Sequence, residues 1–152
     1  MENIRIVEFR LFPTEKVADF AYSVLRSVGI QDDKYPEIKK ETTSQYILEN
    51  YTGRSDFWLA LRNETLIGTI ALREVDINTA ELKRMFVSPE LHGTGVGQNL
   101  LDTLLAFARA RGYKKIVLDT DKLMTRAHRF YEKNGFHRTR EHLDYLTYEL
   151  TL

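Results

Sequence analysis

The stretch that decides the fold reads Val87-Ser88-Pro89-Glu90-Leu91-His92-Gly93-Thr94-Gly95-Val96-Gly97-Gln98. The residues that lead up to this stretch have the pattern of a strand. The stretch itself contains three glycines, and an amphipathic helix begins at its end. A helix N-terminus presents unpaired N–H groups and a partial positive charge, and glycines let the backbone come close to a ligand. The stretch therefore predicts a phosphate cradle. The alternative is a glycine-rich helix start that binds nothing.

Two familiar phosphate loops are excluded by the spacing of these glycines. A Walker loop requires Gly-Lys-Ser/Thr, and no lysine follows any of the glycines. A dinucleotide-binding loop requires G-x-G-x-x-G, but the sixth position is Gln98 when counted from Gly93 and Leu100 when counted from Gly95. The cradle must therefore belong to another kind of site.

Apolar periodicity extends the prediction from the loop in both directions along the chain. Strands are predicted at 4–9, 57–61, 66–72, 80–87, 116–118, from 136 onward and at 145–152. Helices are predicted from an N-cap at Thr14 to Gly29, at 36–51, at 97–112, and around Ala127, Phe130 and Tyr131 with Gly135 at the end. The resulting order, β-α-α-β-β-β-α-β-α-β-β, predicts one α+β domain over residues 1–152.

Composition excludes several classes of protein. The chain has 152 residues, 22 basic and 22 acidic side chains and no cysteine. The absence of cysteine excludes a disulfide framework, a thiolate zinc site and a cysteine nucleophile, and the zero net charge argues against a nucleic-acid partner. No apolar run is long enough for a membrane span, and residues 1–5 lack the layout of a signal peptide, so we expect a cytoplasmic protein without a membrane partner.

The histidines and the basic residues need separate interpretation. His128, His137 and His142 are spaced too irregularly for a helical metal pair, so no metal is expected. Residues 109–140 carry 10 basic and 3 acidic side chains. This excess indicates either a solvated basic face or a site for an anionic ligand.

The glycine stretch resembles the acyl-CoA-binding motif of the GNAT superfamily of N-acetyltransferases, Gln/Arg-x-x-Gly-x-Gly/Ala, which runs here from His92 to Gly97. Residues 81–89 resemble the fourth strand of that family, and residues 127–136 match its Ala-x-x-x-Tyr-x-Lys-x-Gly-Phe helix. The resemblance is strong over 81–136 and weak before residue 56. It implies a single-domain GNAT-type α+β fold, with a mixed, mostly antiparallel central sheet flanked by about four helices.

Two residues depart from the pattern of the family. His92 replaces the usual glutamine or arginine of the loop, and a histidine can still donate a hydrogen bond to a pyrophosphate oxygen. Met124 replaces an asparagine that in relatives donates a hydrogen bond to the pantetheine arm. The resemblance therefore carries over the cofactor site without that contact.

The resemblance implies an enzyme that moves an acetyl group from acetyl-CoA to a primary amine, by direct attack in a ternary complex. Glu81 matches the general base, acting through a water, although it could equally be a surface carboxylate. Tyr131 matches the general acid for the departing thiolate, the alternative being a core tyrosine. A backbone N–H near Phe86 or Val87 would stabilise the oxyanion. The implied acetyl-CoA contacts are Met85, Phe86, Val87, His92, Gly93, Thr94, Gly95, Val96, Gly97, Gln98 and Tyr131.

Several features of the acceptor side stay open at this stage. A non-catalytic CoA-binding sensor or regulatory module of the same fold is the alternative to an enzyme, and a homodimer is left open. The acceptor amine belongs to a small molecule, a peptide or a protein. Asp32 and Asp33 favour a cationic amine or lie in an exposed loop. The aromatic residues Tyr35, Tyr46, Tyr51 and Trp58 line the acceptor pocket or belong to the core.

Overall fold

A computed structural model describes residues 3–152 of the chain and shows a seven-stranded open sheet with helices on both faces. The strands are β1 Ile4–Glu8, β2 Asp56–Arg62, β3 Thr65–Glu74, β4 Thr79–Val87, β5 Lys115–Asp121, β6 His137–Glu141 and β7 Tyr145–Thr151. The sheet order is β1-β2-β3-β4-β5-β7-β6, and only the pairing of β4 with β5 is parallel. The predicted α+β fold with a mostly antiparallel sheet is confirmed.

The helices are α1 Val17–Ser27, α2 Glu37–Glu41, α3 Ser44–Asn50, α4 Val96–Ala110 and α5 Thr125–Lys133. The single helix expected at 36–51 is wrong, because Thr43 is extended and its hydroxyl caps α3 by accepting from the Tyr46 N–H at 3.1 Å. There are thus five α-helices in residues 3–152 where about four were expected. The Thr14 cap is also wrong: α1 begins at Val17, and the Thr14 hydroxyl accepts from the Lys16 N–H before the helix starts.

The core lies on both faces of the sheet, as the alternation of side chains along a strand requires. On β2, Trp58 and Ala60 pack into the cluster formed with α4, whereas Phe57 and Leu59 pack on the opposite face with α3. Helix α4 buries most of its apolar stripe; the fully buried members are Val96, Leu100, Leu101, Leu104 and Ala108. Burial of this kind stabilises the fold by about 1.5–3 kcal/mol for each large apolar side chain. It fixes the start of α4 against the end of β4.

Among residues 3–152, none of the helices combines the length and the apolar content that crossing a membrane demands.

Candidate active site

The middle of the sheet opens between β4 and β5. The two strands pair only where Thr79–Glu81 lie beside Lys115–Val117, and beyond these residues they diverge. Strand β4 also carries a bulge, because Thr69 pairs with Phe86 while Ala71 pairs with Lys83. Backbone N–H groups of β4 beyond Glu81 that face β5 therefore lack a strand partner and are available to a ligand.

The bulge is centred on Arg84, whose φ of 55° is in the left-handed region that non-glycine residues rarely adopt. The Thr69 hydroxyl donates to the Arg84 carbonyl at 2.6 Å, and the Arg84 guanidinium lies 3.3 Å from the Glu41 carboxylate. The buried Arg84 Nε has no hydrogen-bond partner within residues 3–152. Backbone strain of about 1–3 kcal/mol concentrates at functional sites, and here it accompanies the opening of the sheet.

The glycine loop leads directly into the N-terminus of α4. Gly93 and Gly95 have φ values of 79° and 94°, which glycine adopts without the steric cost of a Cβ. Gly95 occupies the N-cap position, and no side chain caps the helix. A Cβ built at Gly97 would lie 3.6 Å from Val87 and 3.7 Å from Met85, so the helix start packs closely on β4. The first-turn N–H groups of α4 are left for an anion to bind.

A cavity of about 650 Å³, the loop cavity, opens beside these N–H groups. Nine of the eleven predicted cofactor contacts line it: Met85, Phe86, Val87, His92, Gly93, Gly95, Gly97, Gln98 and Tyr131. Thr94 and Val96 do not: the Thr94 hydroxyl donates to the Leu91 carbonyl, and Val96 is buried in the core. The Gln98 amide donates to Asn134 at 2.8 Å and so ties α4 to the end of α5.

Three cations on α5 complete the loop cavity; they belong to the basic excess over residues 109–140, which was expected to attract the phosphorylated end of CoA but was not resolved into individual residues. Arg126, Arg129 and Lys133 line the cavity, and a Cβ added at Gly93 would lie 3.9 Å from Arg126 Nη2. Their spacing of three and four residues places them on one face of a helix, which is the signal that could have identified them. Burial, together with the charge of Arg126, holds the pKa of His92 below its ordinary value. His92 is therefore neutral at pH 7, and the arginines supply the positive charge.

A second cavity of about 510 Å³, the acidic cavity, adjoins the loop cavity where the sheet opens. Glu81 lines it from β4, and Tyr35 lines it from the segment before α2. Of the other aromatic candidates, Tyr51 and Trp58 are core residues, and Tyr46 accepts a hydrogen bond from Arg73. Asp32 is bound by Arg26 at 2.7 Å and does not line this cavity.

The two cavities meet at a shared wall. Five residues line both of them: Met85, Phe86, Met124, Ala127 and Tyr131. Tyr131 is only 5% exposed, and within residues 3–152 its hydroxyl makes no hydrogen bond. Burial raises the pKa of Tyr131 well above its usual range, so the phenol stays protonated at neutral pH. A mostly buried tyrosine with an unpaired hydroxyl thus lies in the wall that the two cavities share.

The segment between α1 and α2 closes the acidic cavity by binding Asp121 at the end of β5. Lys34 Nζ lies 2.6 Å and the Tyr35 hydroxyl 2.5 Å from Asp121 Oδ2, and the Leu123 N–H donates to its other oxygen. Burial alone would raise the pKa of Asp121, but these hydrogen bonds outweigh it and hold that pKa below its usual range. Asp121 is therefore a charged structural anchor in the wall.

Residues 3–152 hold no group of three or more His, Cys, Asp or Glu side chains that could bind a metal ion.

The sequence and structure of this chain are similar to those of known acetyltransferases. The sequence profile of the acetyltransferase (GNAT) family matches residues 27–136. Human N-acetyltransferase 8B is 34% identical over 113 residues, covering 70% of this chain and 50% of that protein, so this chain spans about half of its relative's length. An acetyltransferase of the GNAT family from Staphylococcus aureus Mu50 is 28% identical, with a TM-score of 0.83 over 99% of both chains.

A more distant structure shares the fold alone. The PaiA N-acetyltransferase of Thermoplasma acidophilum, solved in complex with coenzyme A, is 20% identical, with a TM-score of 0.84 over 99% of both chains. The matched residues 27–136 contain the glycine loop, the bulged strand β4 and helix α5, each of which lines at least one of the two cavities. The chain belongs to the acetyltransferase (GNAT) family of acyltransferase enzymes.

Proposed function

We propose that this protein transfers the acetyl group of acetyl-CoA to a primary amine, by direct attack in a ternary complex. The observation that carries the proposal is the junction of two cavities at the unpaired Tyr131 hydroxyl. One cavity has the phosphate-binding features and the other has room for an acceptor. An acyl donor and an acceptor can thus meet without either passing through the other's cavity.

Acetyl-CoA fits the loop cavity by charge and shape. Its pyrophosphate would accept hydrogen bonds from the N–H groups at the start of α4, and Arg126, Arg129 and Lys133 would neutralise its phosphates. The pantetheine arm would run along Met85–Val87 towards Tyr131, where the sheet opens. A relative of the same fold that was solved with coenzyme A supports this ligand.

The chemistry divides among three groups of this chain. An alkylamine is protonated at neutral pH, and Glu81 accepts its proton through a water so that the nitrogen can attack the carbonyl carbon. A free N–H of β4 near Phe86 or Val87 donates to the developing oxyanion, which in other acyl-transfer enzymes lowers the barrier by about 3 kcal/mol. As the C–S bond breaks, the Tyr131 hydroxyl gives its proton to the thiolate.

Residues 1–152 form one N-acetyltransferase domain in this proposal, acting in the cytoplasm as a monomer or homodimer. A sensor that binds CoA without turnover is the competing function. The presence of both Glu81 and Tyr131 at the acceptor side favours catalysis, since a sensor needs neither a base nor an acid there.

The proposal is tested by measuring thiol release from acetyl-CoA over a panel of amines, with the acetylated product identified by mass spectrometry. Thermal denaturation with acetyl-CoA, NAD and ATP gives binding separately, and only acetyl-CoA should raise the melting temperature substantially. Stabilisation by acetyl-CoA without turnover of any amine would indicate the sensor. Equal stabilisation by all three ligands would contradict the assignment of the loop cavity.

A further inference from the structure

The charge of the acidic cavity indicates which amines it would bind as acceptors. This inference rests on the proposed function. Six carboxylates line this cavity: Glu37, Glu41, Glu81, Asp119, Asp121 and Asp144. Only two cations, Lys83 and Arg84, line it with them. A cleft in which one sign of charge dominates between low-dielectric walls attracts ligands of the opposite sign.

Three of the carboxylates already have ion-pair partners in the protein, although one lysine serves two of them. Lys34 Nζ lies 2.6 Å from Asp121 and 3.5 Å from Asp144, and Arg84 Nη2 lies 3.3 Å from Glu41. These groups hold the segment before α2, and α2 itself, against the sheet. These three carboxylates therefore stabilise the fold and are not counted among the groups that would bind a ligand.

The other three carboxylates come from three separate elements and have no ion pair within residues 3–152. Glu37 starts α2 and Asp119 lies near the end of β5, both with exposed side chains, while Glu81 is half-buried on β4. The Asp119 carboxylate accepts a hydrogen bond from the Thr147 hydroxyl at 2.6 Å, which fixes its position without neutralising it. Lys83 compensates one of these charges at most, so the cavity keeps a negative surplus.

An independent feature of the same cavity also points to a ligand. The Tyr131 side chain is more than nine-tenths buried, and its unpaired hydroxyl belongs to the cavity wall. Because this hydroxyl belongs to a side chain that is almost wholly buried, the partner that the protein does not supply is to be expected among the groups that enter the cavity. The carboxylates and the tyrosine thus mark two parts of one acceptor site.

We propose that the acceptor is an amine that carries a second positive charge, a diamine or polyamine. One amine reacts beside Glu81 and Tyr131, while the second ammonium stays against Glu37 and Asp119. The reacting nitrogen bonds to the acetyl carbon as the C–S bond breaks. Of the two protons that this nitrogen loses, one ends on the CoA thiol and the other passes to solvent through Glu81. An acceptor with a carboxylate in place of the second ammonium is repelled by the same surplus.

Three amines with the same four-carbon chain test this preference: 1,4-diaminobutane, n-butylamine and 4-aminobutyrate. We expect kcat/KM to fall in that order, by about tenfold or more from the diamine to the monoamine, which is the effect of roughly one favourable charge interaction. Raising the ionic strength should reduce kcat/KM for the diamine more than for butylamine, because salt screens the added attraction. Equal values for the diamine and butylamine, or a preference for aminobutyrate, would overturn the inference and leave acetyl transfer intact.

A double variant, Glu37→Gln with Asp119→Asn, separates recognition from chemistry. It should lower kcat/KM for 1,4-diaminobutane by about tenfold and change the value for butylamine by less than about threefold. Glu64→Gln, an exposed carboxylate in the turn between β2 and β3, is the matched control and should change neither. An equal loss for both amines would show that the two carboxylates do not recognise the second charge.

Failure of the proposed function gives a different result from failure of this inference. If no amine is acetylated, the proposed enzyme activity is wrong. Calorimetric binding of the same three amines then decides the preference without turnover. Tighter binding of the diamine than of butylamine, lost in the double variant, would still support the dicationic ligand, and equal binding would overturn it.

Discussion

At the scale of single residues, the environment of Tyr131 decides what its hydroxyl can do. Its ring packs on Phe130, Phe136 and Tyr148, and the residue also lines both cavities. The two interpretations of this residue, core tyrosine and proton donor, are therefore compatible. Because burial raises its pKa, the phenol stays protonated up to alkaline pH, where it can still act as an acid.

Tyr131→Phe removes the hydroxyl and keeps the packed ring. We expect kcat to fall by about 10²-fold with the Kd for acetyl-CoA nearly unchanged, because general acid catalysis is lost and the cavity wall is kept. Steady-state kinetics with isothermal titration of acetyl-CoA measure the two effects. Tyr113→Phe is the control: it removes the hydroxyl of another buried tyrosine, which donates to the Arg54 carbonyl, and it should cost stability without lowering kcat. If Tyr131→Phe kept full turnover, Tyr131 would have only a structural role and would not be the general acid.

At the scale of elements, the start of α4 shows how a glycine serves both a turn and a ligand. Gly95 precedes the helix with φ of 94°, and Gly112 follows it with φ of 80°. A Cβ at either position would meet nothing within 4 Å, so both glycines are required by backbone conformation alone. Only Gly95 lines the loop cavity, which makes the two positions a matched pair.

Gly95→Asp and Gly112→Asp should each destabilise the protein by about 1 kcal/mol, because each forces a side chain into the left-handed region. Their effects on ligand binding should differ, since only the aspartate at 95 places a negative charge where phosphate approaches. We expect acetyl-CoA to raise the melting temperature of Gly112→Asp and not that of Gly95→Asp. A preserved shift in Gly95→Asp would show that the phosphates bind elsewhere.

At the scale of the whole molecule, the acidic cavity depends on an ion pair between distant parts of the chain. Lys34 and Tyr35 precede α2, whereas Asp121 is the last residue of β5 and lies 86 residues after Tyr35 in the chain. This contact holds the α1–α2 layer against the opened edge of β5. It therefore links the stability of the fold to the shape of the acceptor side.

Asp121→Asn should reduce the free energy of unfolding by about 2 kcal/mol at pH 7, since it removes charge-assisted hydrogen bonds from Lys34 and Tyr35. The pKa of Asp121 is lowered in the folded state, so its contribution is present above the unfolded pKa of about 3.9 and is lost as pH falls through the folded value. The difference between wild type and variant should therefore shrink in acid. Urea unfolding at several pH values measures it.

Asp33→Asn is the control for that experiment, because Asp33 is an exposed carboxylate in the same segment. It should change stability by less than about 0.5 kcal/mol at every pH. An Asp121→Asn difference that stays constant from neutral to acid pH would mean that lost packing, and not the ionised carboxylate, causes the destabilisation.

Features that depend on residues close together in the chain could be predicted from the sequence alone. The apolar stripe of α4, the glycine-rich turn before it and the order of the strands along the chain were all predictable, because periodicity and turn preference are local properties. The prediction of one helix over 36–51 was wrong because the apolar periodicity there is weak and because the extended Thr43 separates α2 from α3. The roles of Glu81 and Tyr131 came from the family resemblance, and they stay predictions.

The surroundings of Glu81 and Tyr131 became known only from the folded structure. Strands β4 and β5 separate after Glu81, Arg84 adopts its strained conformation at the bulge, and the cations of α5 come beside the loop of α4. The acidic cavity likewise draws carboxylates from α2, β4 and β5 and from the turn before β7. No local pattern encodes such a set, because its members become neighbours only when the sheet and its helices pack together, and the resulting field is a sum over residues far apart in the chain.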